Sequence, residues 1–193
     1  MVGAVKKIPT LFVRDYSNGE HRYGRYVTPE VTPGCEWVLA GEGVPTRKFD
    51  GTCCMFDGER WWARREVKGD SWAPEGFVVV DFDPVTSKRV GWEPIENSGF
   101  ARWHAEAVAP APTGARLFAP GTYELIGPKV NGNPEAWPSH FLVEHGAIHL
   151  VNPDPITFWT LRDALTSDFR FEGIVWHHPD GRMAKLKKRD FPA

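Results

Sequence analysis

No apolar stretch in this chain approaches the ~20 residues that a helix needs to cross a bilayer, so no membrane span is expected. Cysteine is equally scarce. There are three, Cys35, Cys53 and Cys54, an odd number with two adjacent, which makes a poor disulfide framework. That pattern points to a reducing, cytoplasmic setting. It also speaks against structural zinc, because there is no C-x-x-C spacing. Strong charge is missing too. A formal net charge of -2 excludes the global basic field of a nucleic-acid packaging protein. The first ten residues carry Lys6 and Lys7 but no apolar core of a secretion signal. Internal repeats, a P-loop, a dinucleotide glycine fingerprint and a G-x-S-x-G elbow are all absent.

The residues that are present suffice for a packed core. A hydrophobic fraction of 41%, with nine Trp, argues against disorder. Gly and Pro recur along the whole length and cut the chain into short segments, which favours strands over long helices. Strands are expected at 10–14, 23–27, 36–39, 52–56, 60–64, 122–126, 147–151, 171–176 and 183–187. Asp57-Gly58 and Asp180-Gly181 each sit between β-favouring runs and signal hairpins. A helix is expected over 99–108, with Phe100, Trp103, Ala107 and Val108 on one face. A second is expected from Asp154-Pro155 to about Ser167, with proline at its first position and Ile156, Trp159 and Leu165 inward. An Ala/Pro-rich connection covers 107–119. The sum is an α+β fold of antiparallel sheets flanked by a few helices.

The chemistry concentrates in Lys48-Phe49-Asp50-Gly51, a K-x-D-G placed between a strand and a hairpin. Alone the tetrapeptide is a common turn. Its weight comes from four further signals downstream in the chain: Arg64 on the return strand, Glu124-Leu125-Ile126-Gly127, Glu172-Gly173-Ile174-Val175-Trp176, and Lys185-Leu186-Lys187. Lys185 and Lys187 alternate with Ala184 and Leu186, so a strand there presents both ammonium groups on one side, as a phosphate requires. A free lysine amine, pKa about 10.4, is unprotonated only about once in two thousand at neutral pH. A lysine nucleophile therefore needs partial burial and neighbouring cations. Lys185, Lys187 and Arg64 are the candidates.

These motifs resemble, in the same order, those of the covalent nucleotidyltransferase superfamily of DNA ligases, RNA ligases and capping enzymes. The strings Trp62-Ala63-Arg64, Gly91-Trp92-Glu93-Pro94-Ile95-Glu96, Val130-Asn131-Gly132-Asn133-Pro134 and His145-Gly146-Ala147 are similar to a compact, vertebrate-type, ATP-dependent 5′-to-3′ RNA ligase family. The resemblance runs from about Lys48 to Lys187, with insertions of the relative missing between Gly69 and Gly91. It implies a single adenylation domain over 1–193, two antiparallel sheets walling an ATP cleft, about 1–40 as an N-terminal extension, and no OB domain. It implies Lys48 as the nucleophile that takes AMP from ATP. Lys48, Asp50, Gly51, Arg64, Glu124, Glu172, Val175, Lys185 and Lys187 would contact the nucleotide. Glu172, Glu124 and Asp50 would hold Mg²⁺, or Mn²⁺, largely through water. Gly51 and Gly173 would let backbone pass close to the nucleotide. Val175 would form one face of an adenine sandwich, and Phe141 or His145 the other. Arg47, before the nucleophile, departs from the acidic residue of the relative.

The implied activity joins RNA 3′-OH and 5′-phosphate ends, with the chain acting as a monomer on RNA ends and no membrane. Rival readings are a capping-type guanylyltransferase, a DNA nick ligase, or a self-adenylating module that never joins nucleic acid. The basic run Arg182, Lys185, Lys187, Lys188 and Arg189 would meet the RNA, unless it is only a solvated tail.

Overall fold

The computed structural model describes residues 7–16, 26–69, 71–84, 86–110, 117–167 and 171–192. The elements begin with β1 (Phe12–Arg14), β2 (Val27–Val31), α1 (Glu36–Leu39), β3 (Val44–Lys48), β4 (Thr52–Phe56) and β5 (Trp61–Lys68). They continue with β6 (Val78–Asp83), β7 (Lys88–Pro94), α2 (Ala101–Val108), β8 (Gly121–Ile126) and β9 (Phe141–Glu144). Last come α3 (Phe158–Ser167), β10 (Gly173–His177) and β11 (Met183–Lys187). Every pairing between these strands is antiparallel. The expected α+β class with antiparallel sheets and few helices is what the chain adopts. No helix among the described residues is long and apolar enough to cross a membrane.

The chain divides into two compact units. One is built on Asp50–His145 and carries a six-stranded sheet in the order β6-β7-β5-β4-β8-β9. Helix α2 covers one face, where Cys54, Leu125, Ala107 and Val130 are buried with Trp61, Phe100, Trp103 and Leu142 against them. The Asp57-Gly58 hairpin forms between β4 and β5 as expected. Asp57 Oδ1 accepts the N–H groups of Arg60 and Glu59, each at 2.8 Å, and Oδ2 accepts the Trp62 indole N–H at 2.8 Å. These bonds, first the one from Arg60, hold the Asp57 carboxyl down at about 2. His104 lies buried on α2, and burial pushes it down to about 4, so it is a neutral core histidine at working pH.

The other unit combines Lys7–Phe49 with Gly146–Ala193. It holds a two-stranded sheet, β1-β2, and a three-stranded one, β11-β10-β3. Its core draws on both ends of the chain: Leu11, Phe12, Val27, Trp37 and Val38 pack with Leu161, Leu165, Ile174, Trp176, Ala184 and Leu186. Leu11, Phe12, Val27, Trp37 and Val38 are thus integral to this unit's core.

Several expectations are corrected. Glu36–Leu39 is a short helix where a strand was expected. Local bonds set it: the Glu36 carboxylate accepts the Gly34 N–H at 2.8 Å, and the Trp37 indole donates to the Gly34 carbonyl at 3.0 Å. Residues 147–151 form no strand. His149 makes only an isolated bridge to Thr46, although the Arg47 N–H reaches the Ile148 carbonyl and the Leu150 N–H the Pro45 carbonyl. Helix α3 starts later than expected, because Thr157 caps it. The Thr157 hydroxyl accepts the Thr160 N–H at 3.2 Å, and the Thr160 hydroxyl accepts the Thr157 N–H at 3.0 Å. Leu165 is buried as expected, whereas Trp159 is 55% exposed. Strands β3, β6, β7 and β9 were not among those expected. The segment expected at 23–27 lies partly outside the described residues, as does the middle of the Ala/Pro-rich connection.

Candidate active site

Lys48 is the last residue of β3, and the register of its sheet decides its surroundings. Gly173 of β10 lies opposite Lys48 on one side and Lys187 of β11 on the other. Val175 lies between Thr46 and Lys185 in the same way. Strand alternation puts these residues on one face and Ile174, Trp176, Ala184 and Leu186 on the other, buried in the core. The M-A-K-L-K pattern of β11 therefore does what the sequence suggests: its apolar residues anchor the strand and both lysines face away.

Glu172, one residue before β10, ties this face together. Its Oε2 accepts from Lys48 Nζ at 2.5 Å, and its Oε1 accepts from Lys187 Nζ. Arg189 stands 3.7 Å from the same Oε1. The Glu172 side chain is only 7% exposed. Burial alone would raise its pKa, but Lys48 and Lys187 outweigh burial and hold the carboxyl below its ordinary value. Gly173 fits between the two lysines only because it has no side chain: a Cβ there would overlap the Leu186 carbonyl oxygen.

Lys185 differs from its neighbours. Among the described residues it has no carboxylate at ion-pair distance. Burial first, then the Lys187 and Lys48 ammonium groups, push it down to about 8, against weaker pulls from Asp190 and Glu172. Burial also lowers Lys187, which Glu172 pulls back up. With Lys48, Lys185 and Lys187 on this face and Glu172 bonded to only two of them, the face carries excess positive charge, the condition for holding a polyphosphate.

Two residues here were missed from the sequence. Asp190 is 1% exposed; its Oδ2 accepts the Lys187 N–H at 2.8 Å, and its Oδ1 accepts from Arg14 Nη2 at 2.5 Å. It fixes the end of β11 where Lys187 projects. The signal was present, since Asp190 is the lone acid following the basic run. Thr46 is the other. Its hydroxyl bonds the Val175 carbonyl and the His177 ring, each at 3.0 Å. Arg47 points to the opposite face from Lys48, its guanidinium 4.4 Å from the Phe49 ring centroid and 4.7 Å from that of Phe171.

The Asp50–His145 unit carries the remaining expected residues. Glu124 lies on β8 opposite Cys53 and is 8% exposed. Its Oε1 accepts the Gly51 N–H at 3.1 Å, and its Oε2 meets His145 Nε2 at 2.8 Å. The Thr122 hydroxyl bonds His145 Nδ1 at 2.9 Å. Gly51 must be glycine, because a Cβ would overlap the Leu125 carbonyl oxygen. Asp50 Oδ1 accepts from Asn131 Nδ2 at 3.1 Å. Arg64 shares its sheet face with Trp62, Cys53 and Glu124 by strand alternation and pairs loosely with Glu66, at 3.7 Å. Phe141 lies on β9 beside Trp137. Thus Lys48, Glu172, Val175, Lys185 and Lys187 gather on one sheet face of one unit, and Asp50, Gly51 and Glu124 gather within the other. No group of three or more His, Cys, Asp or Glu side chains among the described residues converges to hold a metal ion.

Several known proteins are similar to this chain. A family model described as RNA ligase 1 matches residues 111–192. RNA ligase 1 of Rattus norvegicus is 27% identical, with 95% of this chain and 79% of that protein covered. RNA ligase 1 of Pongo abelii is 26% identical over the same shares. RNA ligase 1 of Danio rerio is 39% identical over a shorter stretch, 35% of this chain and 23% of that protein. The rat alignment runs over 261 positions against 193 residues here, so the relative carries additional segments. The likeness to proteins named RNA ligase 1 thus extends over 95% of this chain.

Proposed function

We propose that this chain is an ATP-dependent RNA ligase that works through a covalent Lys48–AMP intermediate. The observation that carries the reading is the sheet face that Lys48, Lys185 and Lys187 share, with Glu172 bonded to Lys48 and Lys187. A lysine at the edge of a cationic surface is placed to attack a phosphate that the other cations hold. In the first step unprotonated Lys48 Nζ attacks the α-phosphorus of ATP. The N–P bond forms as the bond to the β-phosphate oxygen breaks, and pyrophosphate leaves. In the second, an RNA 5′-phosphate oxygen attacks the same phosphorus and releases Lys48. In the third, an RNA 3′-OH attacks the activated 5′-phosphate, loses its proton, and AMP leaves.

The side chains suit a metal ion that arrives on the triphosphate better than one caged by protein. Glu172 is a single carboxylate among cations, and Mg²⁺ is commonly held by one or two carboxylates plus substrate phosphates. Mg²⁺ or Mn²⁺ bound there by Glu172 would neutralise charge building on the phosphates. Glu124, Asp50, Gly51 and Arg64 are proposed nucleotide contacts, Glu124 and Asp50 also metal contacts, and Val175 an adenine contact, on the strength of the resemblance.

Lys185 predicts a pH dependence. Its pKa, about 8, lies below the 10.5 of an ordinary lysine. The cost of burying its charge is therefore fully present below about pH 8 and fades as pH rises towards 10.5. Its attraction for phosphate is lost as pH rises through about 8, where the folded side chain gives up its proton. The ATP concentration giving half-maximal adenylation should rise as pH passes about 8. In Lys185→Arg, which stays charged, that limb should flatten. An unchanged alkaline limb in the variant would remove Lys185 as its source.

Joining itself is tested with a pre-adenylated 5′ strand, which bypasses Lys48. An RNA acceptor should be sealed without ATP. A terminal deoxynucleotide at the acceptor should slow sealing about tenfold or more, as expected for a site that leaves polar groups unpaired when the 2′-OH is missing. Equal rates would argue against an RNA-specific ligase. Labelling of Lys48 with no sealing of any strand would leave a self-adenylating module.

A further inference from the structure

Asn131 is exposed and makes no contribution to the core, yet its backbone stands at φ 46°, in the left-handed region. The left-handed conformation recurs after it, at Gly132 (75°), Asn133 (50°) and, further along, Ala136 (55°). Such conformations cost free energy in non-glycine residues and persist where the surroundings impose them. The loop is firmly mounted. Val130, directly before Asn131, is fully buried, and its N–H donates to the Gly127 carbonyl at 3.0 Å. The Asn133 side chain closes on both the N–H and the carbonyl of Trp137, at 2.8 and 3.0 Å. This mounting presents one amide group. Asn131 Nδ2 donates to the Gly51 carbonyl at 2.6 Å and to Asp50 Oδ1 at 3.1 Å.

Gly51 is thereby held from two sides, its carbonyl by Asn131 and its N–H by Glu124. The turn so fixed comes directly after Lys48 and Phe49 in the chain. We infer that Asn131 is a positioning residue for adenylation, acting through the Asp50-Gly51 turn; the inference rests on the Lys48–AMP reading. Without its grip the turn gains freedom, and Lys48 loses a fixed direction of approach. Displacements near 1 Å at a reacting group can cost about a hundredfold in rate.

The left-handed backbone allows an unusually clean test. Asn131→Gly keeps that conformation at no steric cost and deletes only the grip. Asn131→Asp also tolerates it, but removes the donor and sets a second carboxylate beside Asp50. Single-turnover adenylation at saturating ATP should fall about tenfold or more in both variants, with the ATP half-saturation changed far less. The thermal midpoint of Asn131→Gly should match the parent, and amide exchange over 49–52 should be faster. Parent-like labelling of Asn131→Gly would overturn the inference. So would a rate loss matched by a collapse in thermal midpoint, which describes a strut. Should the parent itself take no label, the adenylation reading has failed and exchange over 49–52 decides alone: faster in Asn131→Gly supports the grip, unchanged refutes it.

Discussion

Glu172→Gln is expected to weaken the protein and stop adenylation together. Glutamine keeps the shape but removes the charge that Lys48 and Lys187 share. It leaves two ammonium groups facing each other on a partly buried face, at a cost on the order of 3 kcal/mol. Adenylation should drop by orders of magnitude, because Lys48 then lacks the partner that sets its direction. The acid response adds a signature. Glu172 has a folded pKa below the ordinary 4.5, so its stabilisation is present above that value and lost as pH falls through the lower folded value. In urea melts across that range the parent should lose more stability than Glu172→Gln. Parallel losses would mean that Glu172 is not the group holding the lysines.

Lys48→Arg is expected to abolish labelling as completely as Lys48→Ala. A guanidinium keeps the positive charge and the bond to Glu172 but is not deprotonated at working pH, so it cannot attack phosphorus. Both variants should still accept a pre-adenylated strand, since that substrate needs no lysine nucleophile. The parent adduct should be a phosphoramidate, labile in acid and stable in mild alkali. Lys48→Arg separates nucleophile from electrostatic anchor: an anchor would survive the change, a nucleophile would not.

How far the sequence carried varies with the physics of each segment. Strand β11 was readable to the residue because M-A-K-L-K has a strict period of two, with Ala184 and Leu186 in the core. The Asp-Gly hairpins were readable because their turn chemistry is local. Helix α1 was not, since four residues are too few to show a period and its form depends on bonds back to Gly34. Strand β3 was hidden by Pro45, which argues against a strand unless it lies at an edge, where β3 does lie. Strand β6 leaves Val78, Val79 and Phe82 half exposed, so its pattern has no buried face to read. Within the candidate site, the sequence supplied Lys48, Glu172, Lys185 and Lys187 as a set, and the fold brings them to one sheet face. Beyond its reach were the groups that act through distant contacts: Asp190 with Arg14, and Asn131 with Asp50-Gly51. Such pairs, far apart in the chain, leave no local pattern.

The central claim is that Lys48 carries AMP. Incubation with ATP labelled at the α-phosphate and Mg²⁺, then denaturing electrophoresis and mapping of the labelled peptide, tests it most directly. The account predicts one label per chain, on the peptide containing Lys48, absent from Lys48→Ala and released by pyrophosphate. Label on another peptide, or equal labelling of Lys48→Ala, would contradict it.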